Sequence, residues 1–60
     1  MEIYRWIDEE GNVHEHRFEN GKCLGFFTNG VNRFNYENRE LTEQWRKNLI
    51  ECGFKPLSTN

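Results

Sequence analysis

Residues 13–34 read VHEHRFENGKCLGFFTNGVNRF, and this stretch decides the fold. Two Asn-Gly pairs, Asn20-Gly21 and Asn29-Gly30, divide it into three short runs of alternating polarity. A two-residue type I′ turn needs positive φ at both positions, which Asn and Gly tolerate, so each pair predicts a tight β-hairpin. The first turn places Phe18 opposite Cys23 and His16 opposite Gly25. The second places Thr28 opposite Val31 and Phe27 beside Asn32, and further along Gly25 beside Phe34 and Cys23 beside Tyr36.

Upstream, Glu2 to Asp8 forms another alternating run. Asp8-Glu9-Glu10-Gly11 suits a type I turn closed by a left-handed glycine with a one-residue bulge. That register sets Ile7 against Val13, Trp6 against His14, Arg5 against Glu15 and Tyr4 against His16. Arg5 and Glu15 are an opposite-charge cross-strand pair, which sheets favour.

Side chains alternate faces along a strand, so the register sorts residues into two sets. Tyr4, Trp6, His14, His16, Phe18, Cys23, Gly25, Phe27, Asn32, Phe34 and Tyr36 share one face, which apart from Glu2 carries no Asp, Glu, Lys or Arg. Ile3, Arg5, Ile7, Val13, Glu15, Arg17, Leu24, Phe26, Thr28, Val31, Arg33 and Asn35 share the other. The first set is the expected core, because burying the second would desolvate several charges.

Downstream, Asn38 or Thr42 can cap a helix running to Cys52. Leu41, Trp45, Leu49 and Cys52 recur at i, i+4, i+8 and i+11, one stripe of a helix facing the sheet. Glu43 and Lys47 form a favourable i,i+4 pair away from it. Gly53 is placed to end the helix in left-handed conformation, with Phe54 touching Leu49. Pro56 prevents continuation, and Phe54 and Leu57 fold back on the sheet. The expected architecture is α+β: a four-stranded antiparallel meander with one C-terminal helix on one face, β-β-β-β-α in two layers. It forms a single domain over residues 1–57, with a frayed tail at 58–60.

Composition fits this reading. Sixty residues form at most one domain, and so short a chain has a thin stability margin. Nine aromatic residues compensate, and alanine is absent, which suits a sheet more than a bundle. The formal net charge of −2 gives no reason to expect nucleic acid or an anionic membrane as partner. No apolar run reaches the roughly 20 residues of a membrane span, and the first residues lack the pattern of a signal peptide. The expectation is a cytoplasmic protein with reduced thiols.

Few residues suggest chemistry. His14, His16, Cys23 and Cys52 make up a Cys₂His₂ inventory for zinc, but their spacing matches no zinc motif. The plainer reading is two histidines among aromatic rings and two small buried thiols. A Cys23–Cys52 disulfide requires both to reach one spot, and the expected compartment opposes it. The only serine is Ser58, and a Cys23–His16 pair inside a core would be inert. The expectation is no cofactor and no enzyme activity.

The uncovered face carries the functional expectation. Arg5, Ile7, Val13, Arg17, Leu24, Phe26, Val31 and Arg33 form a mixed apolar and cationic surface, of the kind that marks interfaces. It predicts a small interaction module that forms a homodimer or docks on a protein partner. The alternative is single-stranded nucleic-acid binding through Arg5, Arg17, Phe26 and Arg33. Glu15 and the acidic balance of the chain weigh against that alternative.

Overall fold

A computed structural model describes residues 1–57; the tail expected at 58–60 lies outside the described residues. The elements run β1 (Glu2–Ile7), β2 (Val13–Glu19), β3 (Lys22–Thr28), β4 (Val31–Phe34), α1 (Glu43–Glu51) and β5 (Lys55–Leu57). The fold is the expected small two-layer α+β domain, an antiparallel sheet with one helix. The sheet order is β4-β3-β2-β1-β5. The returning segment after the helix is a short fifth strand, pairing Ile3 with Leu57 and Arg5 with Lys55.

The three turns form as their residues dictate. Asn20 and Gly21 have φ of 53° and 75°, and Asn29 and Gly30 have 50° and 83°. Gly11 N–H donates to Asp8 O at 3.0 Å, closing the first turn. The β1–β2 register is as expected along its whole length, from Ile7↔Val13 to Tyr4↔His16.

The β2–β3 register departs from expectation one residue beyond its turn. Phe18 opposes Cys23, but Arg17 opposes Gly25, His16 opposes Phe26 and Glu15 opposes Phe27. Leu24 is the extra residue of a bulge. One inserted residue exchanges the faces of everything beyond it. Phe26 and Thr28 therefore lie on the helix side, and Phe27 lies on the far side; the expected assignments of Phe26, Phe27 and Thr28 are reversed. Val31, paired with Thr28, also moves to the helix side, and Asn32, paired with Phe27, moves to the far side. A second bulge at Arg33 pairs Phe34 with Phe26, which restores the expected face for Phe34. Gly25 permits this crowding. A Cβ built there would meet Phe34 O at 3.0 Å and the Asn32 side chain at 3.2 Å.

Beyond β4 the chain loops out through Glu37 and Asn38, both with positive φ, and then rejoins the edge of β3. Cys23 N–H donates to Arg39 O and Leu41 N–H to Gly21 O, each at 2.8 Å. Arg39, not Tyr36, is thus the backbone neighbour of Cys23. Thr42 caps α1 by accepting from Trp45 N–H at 3.1 Å. At the other end Gly53 has φ of 101°, its N–H donates to Ile50 O at 3.0 Å, and Phe54 N–H donates to Leu49 O at 2.9 Å. This is the Schellman closure that Gly53 predicts.

The core is Tyr4, Phe18, Cys23, Leu41, Leu49 and Phe54, with Phe26, Tyr36 and Trp45 packed against it. Arg46 fastens the helix to β1 by donating to both oxygens of Glu2, which also accepts from Tyr4 Oη. Two expected core aromatics are not enclosed: Trp6 and Phe34 are 41% and 56% exposed. Phe34 shares a cross-strand row with buried Tyr4 and His16 but sits on the edge strand β4, and Trp6 lies in the next row; a nine-residue helix, about 14 Å long, leaves both outside its cover.

Candidate interaction surfaces

Two surfaces remain without a covering layer among the described residues. The first is the far face of the sheet, built around a carboxylate. Glu15 on β2 is 5% exposed although no element lies over it. Its Oε2 accepts from Arg5 Nε at 2.7 Å and pairs with Arg5 Nη2 at 2.6 Å. Its Oε1 accepts from Arg17 Nε at 2.9 Å and pairs with Arg17 Nη2 at 2.7 Å. The Arg17 guanidinium also lies 4.1 Å over the Phe27 ring. Burial pushes the Glu15 carboxyl up, and the Arg17 and Arg5 guanidiniums together outweigh it, holding the group below the usual carboxylate range. Each carboxylate oxygen thus accepts two donors of one guanidinium, and these charge-assisted contacts fix the position of both arginines.

The second surface is the end of the helix-side face that α1 does not reach. It begins at Trp6 on β1 and crosses His14, Phe26 and Phe34 to the edge of the sheet. Trp6 and His14 stand 4.9 Å apart with planes at 24°, and His14 and Phe26 stand 6.0 Å apart with planes at 2°. His14 is held at both nitrogens: Nε2 lies 2.9 Å from Asp8 Oδ2, and Nδ1 lies 3.0 Å from Thr28 Oγ1. His14, together with backbone donors of the turn, draws the Asp8 carboxyl down to about 2. The exposed apolar members are Trp6, Phe34 and Val31, the last 62% exposed.

The expected site residues divide between these surfaces. Arg5, Ile7, Val13 and Arg17 lie on the far face as expected. Phe26 and Val31 lie on the opposite side because of the Leu24 bulge. Leu24 and Arg33 are themselves the bulge residues, Leu24 half-buried and Arg33 exposed. The aromatic ring beside the arginines is Phe27 rather than Phe26. The signal for this exchange was Gly25, since an isolated glycine inside a strand marks a bulge or a close backbone approach.

The four zinc candidates separate. His14 is committed to Asp8 and Thr28. His16 is buried among Phe18, Phe26, Tyr36, Trp45 and Phe54, and its Nδ1 has no hydrogen-bond partner. Cys23 is fully buried, and burial pushes its thiol up. Cys52, expected on the core stripe, is exposed as the helix C-cap, because Gly53 turns the chain back and Phe54 fills the core below Leu49. Both cysteines are unbridged. Among the described residues no three His, Cys, Asp or Glu side chains converge on a metal-sized space, and no helix is long and apolar enough to cross a membrane. Compared with known proteins, the chain matches no family model, no curated protein and no solved structure.

Proposed function

We propose that this chain is a non-enzymatic interaction module that self-associates through the uncovered end of its helix-side face. The observation that carries the reading is the strip of Trp6, Phe34 and Val31, three exposed apolar side chains beside the His14–Phe26 row. In a two-fold dimer the same patch meets itself, so a charged patch repels its own copy and an uncharged one does not. The exposed members of the strip carry no charge, and Asp8 beside it already faces His14, while Arg5 and Lys55 border it at Trp6. The far face would instead set a patch with net positive charge, Arg5 and Arg17 around one Glu15, against its own copy. Edge pairing is also opposed. The outer strand β4 is bulged at Arg33, and the Asn32 side chain accepts from Phe34 N–H at 3.1 Å, while β5 carries Pro56.

The test is molar mass in solution by light scattering, for the wild-type chain and for Phe34→Glu, at low and high salt. The expected result is a salt-resistant dimer that Phe34→Glu converts to a monomer with an unchanged far-ultraviolet circular dichroism spectrum. A wild-type monomer at every concentration and salt overturns self-association.

A further inference from the structure

At the edge of β1, where β5 ends, a cavity of about 310 Å³ opens beside the far face. It is lined by Arg5, Trp6, Ile7, Gly53, Lys55 and Leu57. Two of these are cations and none is a carboxylate, while Trp6, Ile7 and Leu57 supply apolar wall. Its size falls within the range of small-molecule sites, which are mostly apolar with a few placed polar groups.

The two cations differ in preparation. Arg5 is fixed in place because its Nε and Nη2 are both spent on Glu15. A guanidinium has five N–H donors, so Nη1 and the second hydrogen of Nη2 remain for another acceptor. Lys55 pairs with Arg5 across the β1–β5 ladder, and cross-strand partners share a face. Among the described residues it has no carboxylate within ion-pair distance. The cavity thus joins a preset planar donor, an exposed ammonium and an apolar wall.

We propose that this cavity binds an amphiphilic carboxylate. The carboxylate sits between the Lys55 ammonium and the unspent edge of the Arg5 guanidinium, and the apolar body lies against Ile7, Trp6 and Leu57. A monoanion fits better than a phosphate dianion, because Glu15 already offsets part of the positive charge of Arg5. Glu15 is a positioning residue here: it touches Arg5 and not the ligand. The site borders the self-association strip at Trp6, whereas Phe34 and Val31 lie on β4 at the opposite edge of the sheet.

The experiment is a titration of the full chain followed by amide nitrogen–proton correlation spectra. Four probes are used: octanoate, octanol, acetyl-Leu-Leu with a free carboxylate, and its C-terminal amide. Saturable shifts at Ile7, Gly53 and Lys55 are expected with at least one of the two acids. The matched neutral probe should bind about tenfold more weakly, as the loss of charge-assisted hydrogen bonds implies. Lys55→Met and Arg5→Lys should each weaken the acid, and both replace side chains outside the core. Octanoate alone saturating assigns a free fatty acid, the peptide acid alone assigns a chain terminus, and both saturating leaves the shared chemistry intact. The proposal is overturned if neither acid saturates, if the neutral probe binds as tightly, or if the shifts map to other residues.

Discussion

The β1–β2 and β2–β3 hairpins share a strand and are both closed by turns whose geometry follows from their residues, yet one keeps its register and the other does not. The first holds from Ile7↔Val13 to Glu2↔Phe18 without interruption. The second slips at Leu24, one residue past the Phe18↔Cys23 pair. The contrast lies within the strands. β1 has no glycine, and Arg5 is anchored to Glu15, whereas β3 has Gly25 at the point where the backbone of β4 closes in. A turn sets the pairing at its own end, and side chains must enforce it from there onward.

Gly25→Val should have the largest effect, because it attacks the slip itself. A Cβ at this position lies 3.0 Å from a backbone oxygen, which cannot rotate away like a side-chain tip. The expected cost is about 3 kcal/mol, at the upper end of overpacking, and it should release β4 from β3. Gly11 in the other hairpin is the control. It has φ of 86° but nothing within 4 Å of its added Cβ. Gly11→Ala should therefore cost only the left-handed strain, about 1 kcal/mol. Urea unfolding of the two variants measures the difference, and equal costs would mean that the close approach at Gly25 is not what holds the bulge.

Phe26 and Phe27 sharpen the comparison at intermediate size, since the bulge sends neighbouring rings to opposite faces. Phe26 packs on His16 at 4.8 Å and against the core, and Phe26→Ala should cost about 2–3 kcal/mol. Phe27 supports Arg17, and Phe27→Ala should cost about 1 kcal/mol, the scale of an exposed cation–π contact with modest burial. An unbulged register predicts the reverse order, so the ranking of the two unfolding midpoints decides between them.

What could be read in the residues follows the same line. Turn types, the first hairpin, the Schellman end at Gly53 and the α+β layering rest on local chemistry, and all were legible. The Arg5–Glu15 pair was legible because it lies in the unslipped hairpin. Phe26 and Val31 were misplaced because a bulge is settled by tertiary contact between Gly25 and Phe34, to which alternation of polarity is blind. The exposed strip was missed for a different reason: a charge-free face looks like core along its whole length, and only the geometry of the helix shows how much of it can be roofed. Cys52 illustrates the limit of periodicity, which describes positions on a helix and not where the sheet beneath it ends.

The smallest effects separate the two hairpins by pH. His16 faces Phe26 across the slipped pair and is enclosed by rings, with Tyr36 among them and Tyr4 opposite it on β1 as titratable neighbours, and no carboxylate in ion-pair contact among the described residues. Burial pushes its pKa below the ordinary 6.5. The unfolded chain therefore takes up the proton first, and stability is lost as pH falls below about 6.5 and continues to fall until the folded group also titrates. Asp8 belongs to the unslipped hairpin, and its carboxyl is drawn from 3.8 to about 2, first by His14 and then by the Asn12 backbone. Its contribution is complete above 3.8 and is lost as pH falls from there toward about 2. Urea midpoints followed downward in pH should show a decline at mildly acidic pH that His16→Phe abolishes and Asp8→Asn leaves in place. They should then show a decline at strongly acidic pH that Asp8→Asn diminishes. If His16→Phe leaves the first decline unchanged, the imidazole is already reached by water or by a partner, and the core around the slipped pair is looser than its rings imply.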